Sequence, residues 1–284
     1  MTVGHSPSFA AALAQVEAVA GEPMELYPYD PRESAWVGRS ASHFAYMADH
    51  PGRRARIILE AGRLRWAASV GVSVPPVVDH APDGAWLVTR RVANDPGRGA
   101  GYVEAVTPIA RAIESAPPPP AELLTPPGHW RAPRRSLVVR SLRMALSPLA
   151  IREFRELQRA ALALPEDTPC HGDFHTRNVL YDATSRTACL VDWERFGYAA
   201  RGTDLFTLWP TLLDADARAG VLEAALAGSN PAERARLGVL HRWLALRNLA
   251  IIVTEDRLRD RDRDRARAAA DRVAEARRNV ESWR

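Results

Sequence analysis

The sequence predicts an α+β chain of two lobes, a small amino-terminal lobe of sheet plus helix and a larger, mainly helical carboxy-terminal lobe. Three observations carry this reading. Short strand-like runs cluster around one helical period before Arg90, a stretch rich in proline, glycine and arginine runs from Ala93 to Arg135, and beyond it most apolar repeats are helical. At 284 residues the chain is also near the size at which a single core stops growing.

The first lobe begins with three β-like pieces, Glu25–Tyr29, Ala35–Val37 and His43–Met47, separated by Asp-Pro and Gly/Ser turn chemistry, which predicts an antiparallel meander. From Arg53 to Val70 the period becomes helical. Ile57, Leu64 and Ala68 share one face with Ala61, Glu60 and several arginines hold the others, and Gly71 is the candidate cap. Two further runs, Val74–Val78 and Ala85–Thr89, bracket the turn Pro82-Asp83-Gly84 and complete the small sheet. Trp36, Trp66, Trp86 and Trp193 lie in elements that must bury a face, so they are expected in the core or between the lobes.

A hinge is expected near Arg91 to Gly97, dividing the chain into residues 1–92 and 93–284. Helices are predicted at Tyr102–Ser115, Pro148–Leu164, Asp214–Ala227 and Pro231–Thr254, with a charged final segment from Asp256 to Trp283. In that segment Asp260, Asp262 and Asp264 stand three residues before Arg263, Arg265 and Arg267, the spacing of a solvated helix face. Only Val179–Tyr181 and Cys189–Asp192 read as strands here, a hairpin around Asp182 to Arg186.

Composition narrows the class. With 46% hydrophobic and 25% charged residues the chain is neither disordered nor a disulfide scaffold. The net charge is +4, yet acids are interleaved with the 38 basic residues, all of them arginine, so no nucleic-acid partner is expected. The two cysteines, Cys170 and Cys189, are read as buried thiols in a reducing cytoplasm, and no apolar run is long enough for a membrane span. A zinc site from these cysteines with His171 and His175 is disfavoured, because the second segment offers only Cys189.

The chemistry concentrates in Cys170-His-Gly-Asp-Phe-His-Thr-Arg-Asn-Val-Leu180, Val191-Asp-Trp-Glu194 and Gly202-Thr-Asp-Leu205. A loop holding Asp173 and Asn178 five residues apart enters a strand whose hairpin partner ends in Asp192, which can bring Asn178 and Asp192 together. Carboxylate and amide oxygens with room for water and phosphate suit magnesium held partly by a nucleotide. Asp173 could then accept a hydroxyl proton. Singly, each of these residues could equally be a turn former at the hairpin.

His171-Gly-Asp173 with Asn178, then Asp192-Trp-Glu194 and Asp204-Leu205, resembles the aminoglycoside phosphotransferase and choline kinase family. Glu60–Trp66, Val74-Pro-Pro76 and Trp86-Leu-Val88 fall in the order of that family's first lobe, and the likeness spans roughly residues 24 to 210. It implies a bilobal protein-kinase-like fold, with residues 1–92 as nucleotide-binding lobe and 93–284 as catalytic and substrate-binding lobe. It implies transfer of the γ-phosphate of ATP, or GTP, to a hydroxyl of an aminoglycoside-like antibiotic, sugar or amino alcohol. Asp173 would be the catalytic aspartate, Asn178 and Asp192 the Mg²⁺ ligands with Glu194 as an extra one, and His171 and Asp204 structural braces of the loop. Acids of the helical lobe and nearby, Glu194, Asp214, Asp216, Glu255 and Asp256, could attract a cationic acceptor or be solvated helix ends.

Two departures from the family pattern stand out. Aligning His43–Met47 with the family's third strand puts Tyr46 where a lysine grips the phosphates and pairs with a glutamate, here Glu60. With no lysine in the chain, Arg39, Arg54 or Arg56 must reach the phosphates if any cation does, and arginine is no simple replacement. The phosphate-covering turn Tyr29–Ser34 has no glycine, and two readings stay open for it: Ser34 donates a side-chain hydrogen bond to phosphate, or the segment is a surface turn with no ligand. Two alternatives stay open for these reasons: a kinase acting on Ser or Thr of a ribosomal precursor peptide along a groove near Arg131 to Arg140, and a non-catalytic scaffold.

Overall fold

The computed structural model describes residues 7–30, 35–94, 101–126, 148–255 and 260–283. It opens with helix α1 (Pro7–Ala20), then strands β1 (Glu25–Asp30), β2 (Ala35–Arg39) and β3 (His43–Ala48), helix α2 (Pro51–Ser69), and strands β4 (Val77–His80) and β5 (Trp86–Arg90). The five strands form one antiparallel sheet in the order β1-β2-β3-β5-β4. The meander is the one expected, and the closing hairpin forms about the expected turn, but β4 runs Val77–His80 instead of Val74–Val78, because Pro75 and Pro76 have no N–H to give the ladder. Gly84 turns that hairpin at φ +74°, where any Cβ would overlap the Arg54 carbonyl.

The period of two along the strands gives the sheet two working faces. Ala45, Met47, Trp86 and Val88 face α1 and pack with Phe9 and Val16. Ala48 and Leu87 belong to the core cluster of Ile57, Ala61 and Leu64 of α2. The buried line of α2 ends in Ala67, while Ala68, expected inside, is exposed. One arginine of this helix, Arg63, is buried among these apolar residues.

Beyond the sheet come helices α3 (Tyr102–Glu114) and α4 (Pro148–Leu162), strands β6 (Thr168–Cys170), β7 (Val179–Asp182), β8 (Thr187–Leu190) and β9 (Gly197–Ala199), and helices α5 (Thr203–Leu208), α6 (Ala215–Leu226), α7 (Pro231–Glu255) and α8 (Asp260–Ser282). β7 and β8 form the expected hairpin with Val179 opposite Leu190. β8 stops at Leu190 instead of Asp192, because Asp192 takes φ +63° and leaves the ladder. β6 and β9 pair in a ribbon three residues long, too short to show a period in the sequence. The side-chain pairs of the Asp260–Arg267 run, the turn containing Ser34, and Arg131–Arg140 lie outside the described residues.

Trp193, Trp209, Trp243, Phe174, Phe196 and Phe206 are fully buried and form the centre of the second lobe. Cys170 and Cys189 are free and buried, and burial pushes the Cys189 thiol up to about 12. No helix among the described residues is long and apolar enough to cross a membrane.

His241 sits in this core with neither ring nitrogen hydrogen-bonded, against Trp209, Phe206 and Trp283. Burial lowers its pKa from 6.5 to about 3, so the unfolded chain takes up this proton first and stability falls as pH drops through that window. His241→Leu is expected to hold or raise stability at pH 7 and to lessen the loss between pH 7 and pH 4. Urea unfolding at the two pH values measures both; an unchanged acid loss in a folded variant would refute this assignment.

Candidate active site

The loop after β6 is set from behind. Asp204, buried at the start of α5, accepts the backbone N–H of His171 through Oδ2 at 2.8 Å and that of Gly172 through Oδ1 at 3.0 Å. Desolvation raises the Asp204 carboxyl to about 7, a cost the two amides partly offset. The His171 ring is buried edge-on against Trp193, and its Nε2 donates to the Val191 carbonyl at 3.2 Å. Burial lowers His171 to about 4, so the ring is neutral at physiological pH. His171 thus ties the loop to the segment that carries Asp192.

Asp173 follows, with its side chain one quarter exposed. Its carbonyl accepts the N–H of His175 at 2.9 Å and Nδ2 of Asn178 at 3.0 Å, which closes the loop on itself. Its carboxylate stands 3.8 Å from His175 Nε2 and 3.9 Å from Arg195 Nε. Asn178 is buried, and its carbonyl accepts the N–H of Val191 at 2.9 Å. That bond ties Asn178 to the residue before Asp192.

Asp192 and Glu194 are held by α2. Both carboxylate oxygens of Glu60 accept the Trp193 N–H at 3.1 Å. Arg63 Nη1 donates to the carbonyls of Trp193 at 2.8 Å and Glu194 at 3.0 Å, while its Nε donates to Leu123 O at 2.7 Å and Nη2 to Thr125 Oγ1 at 3.2 Å. Desolvation and the nearby Asp192 push Glu60 up to about 7. Asp192 is also raised, by desolvation first and then by Asp173 and Glu194. Arg63 was missed in the sequence, although its place between Ala61 and Leu64 on the apolar face is the signal of a buried cation with a partner.

One cavity is lined by the Asp192 segment and another by the Asp173 loop. A cleft of about 280 Å³ between the sheet, α2 and the Asp192 segment is lined by Tyr46, Arg53, Arg56, Glu60, Asp192 and Glu194 among others. Of the expected site residues, Tyr46, Glu60, Asp192 and Glu194 therefore share one cleft. Arg56 reaches Glu194 there at 3.1 Å. Arg54 instead pairs with Asp83 at 2.6 Å, and Arg39 lies over the Tyr27 ring, so neither lines the cleft.

The second cavity, about 400 Å³, has Asp173 in its wall with His175, Arg177, Arg195, Arg247 and Arg272. The acids expected to surround an acceptor are not in its described wall. Asp214 instead caps α6 by accepting the Ala217 N–H at 2.7 Å, and Asp216 is exposed in the first turn of that helix. The side chains of Glu255 and Asp256 lie outside the described residues.

The donor set next to the cleft suits a magnesium ion. Asp192 and Glu194 line the cleft together, and burial first, then the charges of Asp173 and Glu194, raises the Asp192 carboxyl. No three His, Cys, Asp or Glu side chains among the described residues form a ready metal cage. Magnesium commonly takes one or two carboxylates and completes its shell with water and phosphate.

Residues 32–240 match the family model described as the phosphotransferase enzyme family. An aminoglycoside 3′-phosphotransferase of Streptomyces ribosidificus is 33% identical over 165 residues, which make up 51% of this chain and 62% of that relative. The chain thus spans less than two thirds of that curated relative. In fold it is similar to a choline/ethanolamine kinase family protein of Mesorhizobium loti, with TM-score 0.60, 21% identity and coverage of 94% of this chain and 93% of that one. The streptomycin–ATP–APH(2″)-IIa ternary complex is similar at TM-score 0.57 and 12% identity over 90% of this chain and 93% of that one. The bilobal protein-kinase-like fold expected from the motifs is therefore the fold of this chain.

Asp204→Asn replaces a double acceptor with a group that accepts on one side and opposes an N–H with an NH₂ on the other. It is expected to destabilise the fold by about 1–3 kcal/mol. Denaturant unfolding at pH 8 gives the value, and a loss below about 0.5 kcal/mol, the ordinary range of a surface change, would contradict the bracing role.

Proposed function

Because the chain belongs to the phosphotransferase enzyme family, we propose that it moves the γ-phosphoryl group of ATP to a hydroxyl of a small molecule. The observation that carries this reading is the position of Asp173. It lies in the wall of the larger cavity, in the same loop as Asn178, and its charge is felt by Asp192 in the nucleotide cleft. An acceptor in one cavity and a triphosphate in the other would meet at this carboxylate. On this reading residues 1–92 bind the nucleotide, residues 93–284 supply the catalytic loop and acceptor site, and the reaction belongs in the cytoplasm.

The acceptor oxygen attacks the γ-phosphorus, its bond to the β-bridging oxygen breaks, and ADP leaves. Asp173 orients the hydroxyl and takes its proton as the new ester bond forms. Asn178 and Asp192, with Glu194 as a further ligand, would hold magnesium, which supplies charge neutralisation to the phosphates. Such transfer is mainly positioning and electrostatics, so the backbone ties on Asp173 and Trp193 matter as much as the reacting groups.

Tyr46 in the cleft brings no charge to the phosphates. The cations of the cleft rim are Arg53 and Arg56, about two turns and one turn before Glu60 on α2, and they are assigned the phosphate contacts of the absent lysine. Glu60 has a different partner, the Trp193 N–H, and so holds the metal-binding segment directly. The tyrosine also favours a second reading, a kinase-like binding protein without catalysis.

Calorimetry with Mg-ATP and radiolabelled phosphate transfer to a panel of hydroxyl acceptors separate the two. Mg-ATP is expected to bind, and Asp173→Asn to retain binding while transfer falls by about 10² to 10⁴. Transfer that survives the substitution removes Asp173 from its role, and binding of Mg-ATP without transfer to any acceptor favours the second reading.

A further inference from the structure

The charge of the larger cavity says more about the acceptor than the family does. Among its described wall residues Asp173 is the one carboxylate, against Arg177, Arg195, Arg247 and Arg272 and the imidazole of His175. Arg177 and Arg195 are exposed on the loop side, beside Asp173. Arg247 comes from α7 and is buried; Arg272 comes from α8, with a side chain only 14% exposed. The two cavities share no lining residue among the described ones, so Arg272 stands apart from the cleft.

Arg272 is tied to the surface of α8 and to the loop before α6, its Nη2 donating to the Leu212 carbonyl at 3.4 Å. Arg272 and Arg218 share the single carboxylate of Glu275, at 3.5 Å and 3.0 Å. Arg218 also spends Nη1 on the carbonyls of Leu212, Leu213 and Asp214, which offer dipoles and no charge. Asp271 also acts on Arg272, so the positive excess lies in the cavity wall itself, where four arginines face Asp173 among the described residues. A shielded cation is stabilised by an anion, and a guanidinium fork matches carboxylate and phosphate oxygens in pairs. A polycationic acceptor would meet like charge on several sides.

Resting on the phosphotransferase reading above, we infer that the acceptor is a small hydroxylated anion, its carboxylate or phosphate held by Arg272 and its neighbouring arginines while its hydroxyl faces Asp173. Leu213, Leu244 and Ile251 in the same wall give its carbon skeleton an apolar surface. The cavity volume is that of a small-molecule site.

The test uses sugars of one skeleton and different charge. Calorimetry on the full chain with saturating Mg-ADP would compare glucose 6-phosphate, gluconate, glucose and glucosamine, with streptomycin as polycation. Expected is binding of an anion at least about tenfold tighter than glucose, with glucosamine and streptomycin weakest. Arg272→Gln and Arg177→Gln are each expected to erase that preference, bringing the anions to the affinity of glucose. Arg177 is exposed, so its variant remains informative if Arg272→Gln melts early. Tighter binding of glucosamine or streptomycin, or no preference for either anion over glucose, including no binding of any, overturns the inference. Radiolabelled transfer with the same compounds separates the two claims: anions bound without transfer count against the phosphotransferase reading alone, and streptomycin phosphorylated while anions are refused counts against the anionic acceptor alone.

Discussion

A charged helix face gripping the main chain of a distant segment is the constraint on which this site depends. Glu60 and Arg63 of α2 bind the N–H of Trp193 and the carbonyls of Trp193 and Glu194, more than 100 residues away in sequence. Because the contacts are to backbone, they fix the path of the chain through Asp192 whatever its side chains do. Arg63 is desolvated, and its donors are spent on three carbonyls and one hydroxyl. A buried guanidinium satisfied in this way costs several kcal/mol to disturb, since the carbonyls would be left without donors. The sheet packs on α2, α2 holds Trp193, and His171 links that segment to the Asp173 loop. The two lobes therefore share one rigid path from Leu87 to Asp173.

Electrostatics divide the site. The first cleft collects Glu60, Asp192 and Glu194 with Arg53 and Arg56 at its rim, whereas the second cavity collects arginines around Asp173. On the proposed reading a cation belongs on the first side and an anion on the second, with Asp173 in the wall of the second. The absent lysine fits this arrangement: its usual glutamate partner has another task, and Tyr46 fills the wall of the cleft next to Phe44.

Much of this was legible in the residues. The meander, α2 and the hairpin showed because each has one face in the core, so the apolar period repeats. The acidic motifs were legible because so many polar residues in so few positions have no packing reason to be there. α1 was missed: Pro7–Ala20 is rich in alanine, which favours helix by propensity while giving a weak face pattern. β6 and β9 were too short for any period. Asp192 was placed inside a strand because a left-handed backbone at a non-glycine residue leaves no mark in composition. The basic cavity stayed hidden for another reason. Its arginines come from the loop, α7 and α8, and only the packing of those elements makes one wall of them.

The grip of α2 on the Trp193 backbone is tested most directly by Arg63→Met, which keeps an apolar stem of similar length and removes every donor. The measurement is Mg-ATP affinity by calorimetry on the folded variant, next to its unfolding free energy. Expected is an affinity lowered at least tenfold together with a stability loss on the order of 3 kcal/mol. A folded Arg63→Met protein that binds Mg-ATP as tightly as the unaltered chain would contradict the claim that this arginine positions the metal-binding segment.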